Sequence, residues 1–201
     1  MTALIVKPPK ARKLTREEWL ERAVDMIRPD MKARGVKIPN VKVSCSWPGG
    51  GDSKKRIGEC WATQASKAGI NEIFISPKIE DSAKVIAILM HELAHAVDNC
   101  VNKHNAAFVA IASTMGLQGK PTQMMPPVPV AKAWATTMRA AYGRFPHRVL
   151  DKSLSPVKKQ TTRMLKVECG DCEAVWRMSS KHVLNVTHCC CCDSENLTVE
   201  S

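Results

Sequence analysis

The sequence predicts an α+β protein that ends in a small cysteine-rich module. Short segments in which apolar and polar residues alternate predict strands, and segments on both sides of them have apolar residues at helical spacing. This combination of helices and strands predicts the α+β class. Six of the nine cysteines lie in the last 33 residues, which predicts a separate module. A chain of 201 residues is long enough to bury one core and to carry such a module.

The first predicted elements are a helix and three strands. Residues 15–35 begin with a Thr-x-x-Glu capping signature and predict a helix that Pro29 either kinks or ends. Alternation of apolar and polar residues predicts strands in 40–47, 57–65 and 71–77, and the last two are expected to pair as a hairpin.

Two further helices are predicted in the middle of the chain. The first is capped by Asp81 or Ser82 and runs to about Cys100. The second spans residues 104–116 and ends at a glycine. Residues 118–129 are rich in proline and methionine and predict a loop, after which one more helix fits the pattern.

The positive charge of the chain is unevenly distributed. The net charge is +11, yet the cysteine-rich end carries six acidic and only three basic residues. Such segregation favours a polyanionic partner, most plausibly nucleic acid, and a solvated surface that only aids solubility is an equally good interpretation. We expect four regions: a basic N-terminal arm (1–14), a folded domain (15–150), a basic linker (151–163) and the cysteine-rich module (164–201).

The sequence favours a cytoplasmic protein. The apolar patch at the N-terminus is too short, and in the wrong order with its basic residues, for a secretory signal. No segment approaches the length of a membrane span, so we expect no membrane partner. Because the cytosol keeps thiols reduced, the clustered cysteines favour metal binding over disulfides.

Residues 87–98, AILMHELAHAVD, place three polar side chains in an otherwise apolar run. His91 and His95 are four residues apart, so on a helix they share one face and can bind one metal ion. Glu92 lies beside the first histidine and can take a proton from a zinc-bound water. This HExxH arrangement predicts a catalytic zinc site with Glu92 as general base. A chance match in a core helix would leave three buried polar groups unpaired.

A catalytic zinc site of this kind needs a third protein ligand. Asp98 lies one helical turn beyond His95, and His104 begins the next predicted helix. We favour His104, because imidazole is the commonest neutral zinc ligand. Asp98 then either supports a ligand or simply ends the helix.

The paired cysteines near the C-terminus predict a structural zinc site. The two Cys-x-x-Cys turns are separated by 16 residues, which suits a closed tetrahedral site whose metal folds a module too small for its own core. Cys190 or Cys191 can replace one ligand of the second turn, and a redox pair is the alternative interpretation. The expected ligands are Cys169, Cys172, Cys189 and Cys192.

The segment HELAHAVDNCVNKHNAAF (residues 91–108) resembles the signature of the SprT-like, Spartan-related zinc metalloproteases, in which a third histidine and then a phenylalanine follow HExxH. The segments GECW and NEIFISP before it and the paired cysteines after it add to the resemblance. It implies a zincin-like minimal metalloprotease domain with a C-terminal zinc ribbon, of a bacterial or phage type. The implied ligands are His91, His95 and His104, with Glu92 as base. Asn105 stands where the family commonly has glycine.

We therefore expect a zinc metalloendopeptidase that acts as a monomer on protein or peptide substrates near nucleic acid. It would hold one catalytic and one structural zinc ion, in the cytoplasm of a bacterial cell or a phage-infected host. The competing interpretation is a non-catalytic nucleic-acid-binding protein with structural metal sites only. Glu92 favours the enzyme, because a structural site needs no carboxylate beside an open coordination position.

DNA is expected on the basic segments and not on the acidic module, because phosphate attraction grows with the number of neutralising cations. Trp134 and Tyr142 are candidates for stacking on unpaired bases, and Trp176 and Arg177 for an added contact. The expected phosphate contacts are Arg148, Lys152, Lys158, Lys159 and Arg163.

Substrate is expected along the strand 71–77, which is the nearest predicted strand before the motif helix. Its backbone would pair with an extended peptide by strand addition. In the alternative interpretation, Ile73, Phe74 and Ile75 belong to a buried central strand with no free edge.

Overall fold

The computed structural model describes residues 13–49, 56–151 and 164–200. The chain divides into two compact units, Met1–Ser153 and Leu154–Ser201. Helices and strands are mixed along the chain, which confirms the predicted α+β class. Among the described residues, no helix is both long and apolar enough to cross a membrane.

Helix α1 (Arg16–Ala33) begins at the predicted capping box. The Thr15 hydroxyl accepts a hydrogen bond from the Glu18 N–H, and the Glu18 carboxylate accepts one from the Thr15 N–H. The helix continues through Pro29, which does not end it. Apolar residues on both sides of Pro29 are fully buried, and their packing offsets the hydrogen bond that proline cannot donate.

The first sheet has three strands in the order β1-β3-β2. Strand β3 (Asn71–Ile75) runs parallel to β1 (Val41–Cys45) and antiparallel to β2 (Gly58–Trp61), which confirms the predicted pairing of the last two. The prediction that residues 71–77 offer a free edge to substrate is wrong, because β3 has a partner on each side. The local pattern does not reveal the parallel partner, since β1 lies far away in sequence. A short 3₁₀ helix (Thr63–Ala65) lies between β2 and β3.

Helix α2 (Ser82–Val97) carries the HExxH motif and packs on β2 and β3. Asp81 caps it, because its carboxylate accepts a hydrogen bond from the Lys84 N–H at 2.8 Å. Most of the helix is buried on every side, so it lies in the middle of the core.

Two more helices complete this unit, α3 (Ala106–Thr114) and α4 (Val128–Tyr142), with a 3₁₀ turn (Pro121–Gln123) between them. Helix α3 begins later than residue 104, because the Asn105 side chain caps it by accepting two backbone hydrogen bonds at 3.0 and 3.3 Å. The φ of Asn105 is −79°, so this position does not require glycine. His104 therefore stands just before the helix and not on it.

The second unit is a small antiparallel sheet in the order β5-β4-β6. Its buried apolar residues, among those described, are Val167, Cys169 and Cys189. Its elements are β4 (Met164–Cys169), β5 (Val175–Ser179), the short helix α5 (Ser180–Val183) and β6 (Leu197–Glu200).

Candidate metal centres

Three histidines of the first unit point one ring nitrogen each toward a common position. His91 and His95 lie one turn apart on α2, and the loop after α2 brings His104 back to them. The Nε2 atom of His104 lies 3.1 Å from Nε2 of His95 and 3.3 Å from Nε2 of His91. The ligand atoms of all three lie within 4.8 Å of one another, so they can hold one metal ion.

The three imidazoles are neutral at ordinary pH, as metal ligands must be. Burial lowers the pKa of His91, His95 and His104 below the usual value, and for His95 the neighbouring histidines contribute to a pKa of about 3. Each neutral ring therefore has one nitrogen with a free lone pair that can bind a cation.

A backbone carbonyl fixes the tautomer of His91. The Nδ1 atom of His91 lies 2.9 Å from the Met124 carbonyl oxygen, which can only accept, so Nδ1 carries the proton and Nε2 faces the metal position. The segment that contains Met124 is held by an antiparallel β-bridge between Gln118 and Met125. Nothing in the sequence distinguishes Met124 from other loop residues, because its contribution comes from the backbone.

Phe108 supports the histidine rings from the side of α3. Its side chain is fully buried and stacks on the His95 ring, with 4.2 Å between the ring centroids. It also makes edge contacts with the rings of His91 and His104. Phe108 thus contacts all three candidate ligands.

Asp98 does not join the three histidines. Its Oδ2 atom accepts a hydrogen bond from the Asn102 N–H at 3.2 Å. Its Oδ1 atom is buried and has no hydrogen-bond partner in the described part of the chain. Asp98 therefore supports the loop that leads to His104.

Glu92 is buried beside the histidines, with 6% of its surface exposed. The pKa of its carboxyl is raised to about 8, mainly by burial and to a smaller extent by Cys100 and Glu59, while Arg56 acts in the opposite direction. A cation held by the histidines would favour the carboxylate form and lower this pKa.

Gly58 on β2 makes room for the Glu92 carboxyl. A Cβ atom at residue 58 would overlap that carboxyl and the side-chain methyl of Ile88. A glycine inside a strand pattern indicates a close approach of this kind. The position of Gly58 in the predicted strand 57–65 is therefore the sequence feature that could have identified its role.

An open cleft lies in front of Glu92 and the histidines. Residues 57–60 line one side of it, and Thr122, Gln123 and Met125 line another. Strand β2 is an edge strand, and within the described residues no strand pairs with its outer side. The cleft therefore borders a strand edge that an extended peptide can reach, where the Cys60 carbonyl accepts a hydrogen bond from the Cys100 thiol at 3.4 Å.

Four cysteines of the second unit form the other candidate metal centre. Their sulfur atoms lie within 4.8 Å of one another, with 3.6 Å between Cys169 and Cys192 and 3.5 Å between Cys172 and Cys189. Hydrogen bonds, of which the one from the Cys191 backbone contributes most, lower the pKa of Cys189 to about 6 and so favour the thiolate. Cys190 and Cys191 are exposed and outside this group.

The two cysteine turns have the same backbone form. Glu173 follows the first turn with φ of 59°, and Asp193 follows the second with φ of 63°. Each donates its N–H to the carbonyl of the first cysteine of its turn at 3.0 Å. Asp171 joins the turns, because its carboxylate accepts hydrogen bonds from Ser194 and Asn196.

Most of the residues expected to contact DNA lie outside the described residues, namely Lys152, Lys158, Lys159 and Arg163. Arg148 is described, is almost fully exposed and lies 3.7 Å from the Glu80 carboxylate. Trp134 packs against the core, whereas Tyr142 is about half exposed. In the second unit Trp176 is half-buried and Arg177 is exposed.

The chain matches no protein-family model, no curated protein and no solved structure.

Proposed function

We propose that this protein is a zinc metalloendopeptidase of the SprT-like type, with a zincin-like catalytic domain and a C-terminal zinc ribbon. The observation that carries the proposal is the convergence of three neutral imidazole nitrogens beside a buried glutamate at an open cleft. A purely structural site has no use for a carboxylate held in this place.

Both donor sets suit zinc. Three histidines leave a fourth position open, which is typical of catalytic zinc, and four cysteine sulfurs form a closed set, which is typical of structural zinc. The proton that His91 donates to the Met124 carbonyl supports the same assignment, because metal-binding histidines commonly fix their second nitrogen in this way.

In the proposed mechanism, Glu92 moves the proton. When bound, zinc supplies Lewis acidity that activates a water and polarises the substrate carbonyl. The Glu92 carboxylate accepts the proton of the attacking water and delivers it to the amide nitrogen that leaves. The backbone of Gly58 lies against this carboxylate and restricts its position, which would keep it directed at the reacting atoms.

We propose that substrate pairs with β2 and not with β3. The outer edge of β2 borders the cleft, and backbone pairing recognises an extended chain with little regard to its side chains. An unfolded or locally extended protein segment is therefore the expected substrate. The net charge of +11 supports a location near nucleic acid.

The test is hydrolysis of an unfolded protein, such as casein, by the zinc-loaded chain and by Glu92→Gln. The variant should keep both zinc ions and lose activity by about 10²–10⁴-fold, because only the proton acceptor is lost. Glu21→Gln on the exposed face of α1 is the matched control and should retain activity. Equal activity in Glu92→Gln would contradict the proposal. A wild-type chain that holds two zinc ions and hydrolyses nothing would favour the non-catalytic alternative.

A further inference from the structure

The loop that returns His104 to the other histidines begins with an unusual helix end. Cys100 donates its N–H to the His95 carbonyl at 2.8 Å, and Asn99 donates its N–H to the Ala96 carbonyl at 3.1 Å. This pair of bonds is a Schellman motif, and its left-handed position is usually glycine. Here that position is Asn99, with φ of 53°.

The Asn99 side chain ties this helix end to the connection between β2 and β3. Its Oδ1 atom accepts hydrogen bonds from the Thr63 N–H at 2.8 Å and from Asn71 Nδ2 at 3.0 Å. Its Nδ2 atom donates to the Gln64 side chain at 3.1 Å. Glycine would supply the backbone conformation but none of these bonds.

Asn71 completes the link from inside the sheet. It is 1% exposed, and its Nδ2 atom also donates to the Trp61 carbonyl at 3.1 Å. Because both amides are bonded on several sides, the start of the His104 loop has a single fixed position relative to β2 and β3.

The rest of the loop needs such an anchor. Cys100 has φ of 61° and Lys103 has φ of 48°, and residues other than glycine adopt this left-handed conformation only at an energetic cost. A short segment with this much strain keeps its form only where its surroundings hold it.

We propose that Asn99 and Asn71 are positioning residues for the third metal ligand. They fix the turn from which His104 reaches the Nε2 atoms of His91 and His95. The catalytic meaning of this role rests on the proposed function, but the role itself is measured as metal binding.

The test is the zinc affinity of the histidine site in the full chain, measured by competition with a chelator. Asn99→Gly should weaken this site by about 10–100-fold, as is typical for residues that orient ligands, without changing the affinity of the cysteine site. Asn99→Asp keeps the acceptor for Thr63 and Asn71 and should restore most of the affinity. Asn102→Ala is the matched control, because among the described residues its side chain bonds only to Asn105, at 3.3 Å within the same loop.

Full affinity in Asn99→Gly would overturn the proposal, since Asn99 would then supply only its backbone conformation. Asn71→Ala should weaken the same site, and the double variant should be no weaker than about the worse single variant. Additive losses would contradict a shared role. If the variants show this affinity pattern but the wild-type chain hydrolyses nothing, the positioning role is supported and the proposed function is contradicted.

Discussion

The two candidate metal centres are built on different kinds of support. The histidine site lies on and beside α2, whose apolar neighbours are fully buried in the core of the first unit. The cysteine site lies on two tight turns in a unit with only three buried apolar residues among those described. We therefore expect packing to hold the first site without metal, whereas we expect the second unit to need metal in order to fold.

The difference also fits the chemistry that we propose for each site. A catalytic site works best when its ligands and base are held in place before substrate arrives, and the core provides that rigidity. A structural site only has to close its coordination shell, and matching turns with four sulfur donors are sufficient for it.

Metal removal should produce the largest difference between the two units, measured as protection against hydrogen exchange. With a chelator, residues 164–200 should lose their protection against hydrogen exchange, because about 10–16 kcal/mol of apparent zinc-binding energy folds such modules. Helix α2 should stay protected in the same sample. Exchange resolved by mass spectrometry measures both, and equal loss or equal retention in the two units would contradict the comparison.

Substitution of His104, the proposed third ligand, should have the next largest effect. His104→Ala should reduce the zinc content of the chain from two ions to one, because two histidines remain at the site. Asp98→Ala should weaken that site by about tenfold or less, since Asp98 only supports the loop through Asn102. Zinc counting by native mass spectrometry distinguishes the two, and the reverse order would make Asp98 the ligand.

Gly58→Ala should damage catalysis without removing metal. The added methyl group would displace the Glu92 carboxyl, and a displacement of about 1 Å can lower a catalytic rate by roughly 100-fold. Zinc content should stay at two ions, because no ligand is touched. Hydrolysis and zinc content are measured on the same sample. Wild-type activity in this variant would show that the position of Glu92 is not restricted by β2.

The smallest expected effect is a change in DNA affinity when the charges of the basic linker are neutralised. Neutralising Lys158, Lys159 and Arg163 together should reduce the slope of log affinity against log salt by about two to three. Trp176→Ala should change affinity less and leave the slope unaltered, because it removes no charge. Unchanged affinity after charge neutralisation would mean that the basic segments only aid solubility.

The sequence predicts the parts of the fold that depend on local spacing. The capping box of α1, the cap at Asp81 and the shared face of His91 and His95 all follow from residues within one or two helical turns. The cysteine turns are likewise local. These features need no knowledge of distant contacts.

The parts that the sequence does not predict depend on contacts between distant segments. The parallel pairing of β1 with β3 makes β3 a central strand, which local alternation does not reveal. The Met124 carbonyl lies 33 residues along the chain from His91, which it contacts. Asn71 lies 28 residues from Asn99, to which it donates a hydrogen bond. Each supports a candidate ligand through tertiary structure alone.

The most direct test is hydrolysis of a short unstructured peptide by the wild-type chain, His104→Ala and Cys189→Ser, with zinc counted in each sample. Each variant should lose one zinc ion, but only His104→Ala should lose hydrolysis, because we propose that the histidine site is catalytic and that the cysteine site is structural. Hydrolysis that persists in His104→Ala and disappears in Cys189→Ser would contradict this division between the two centres.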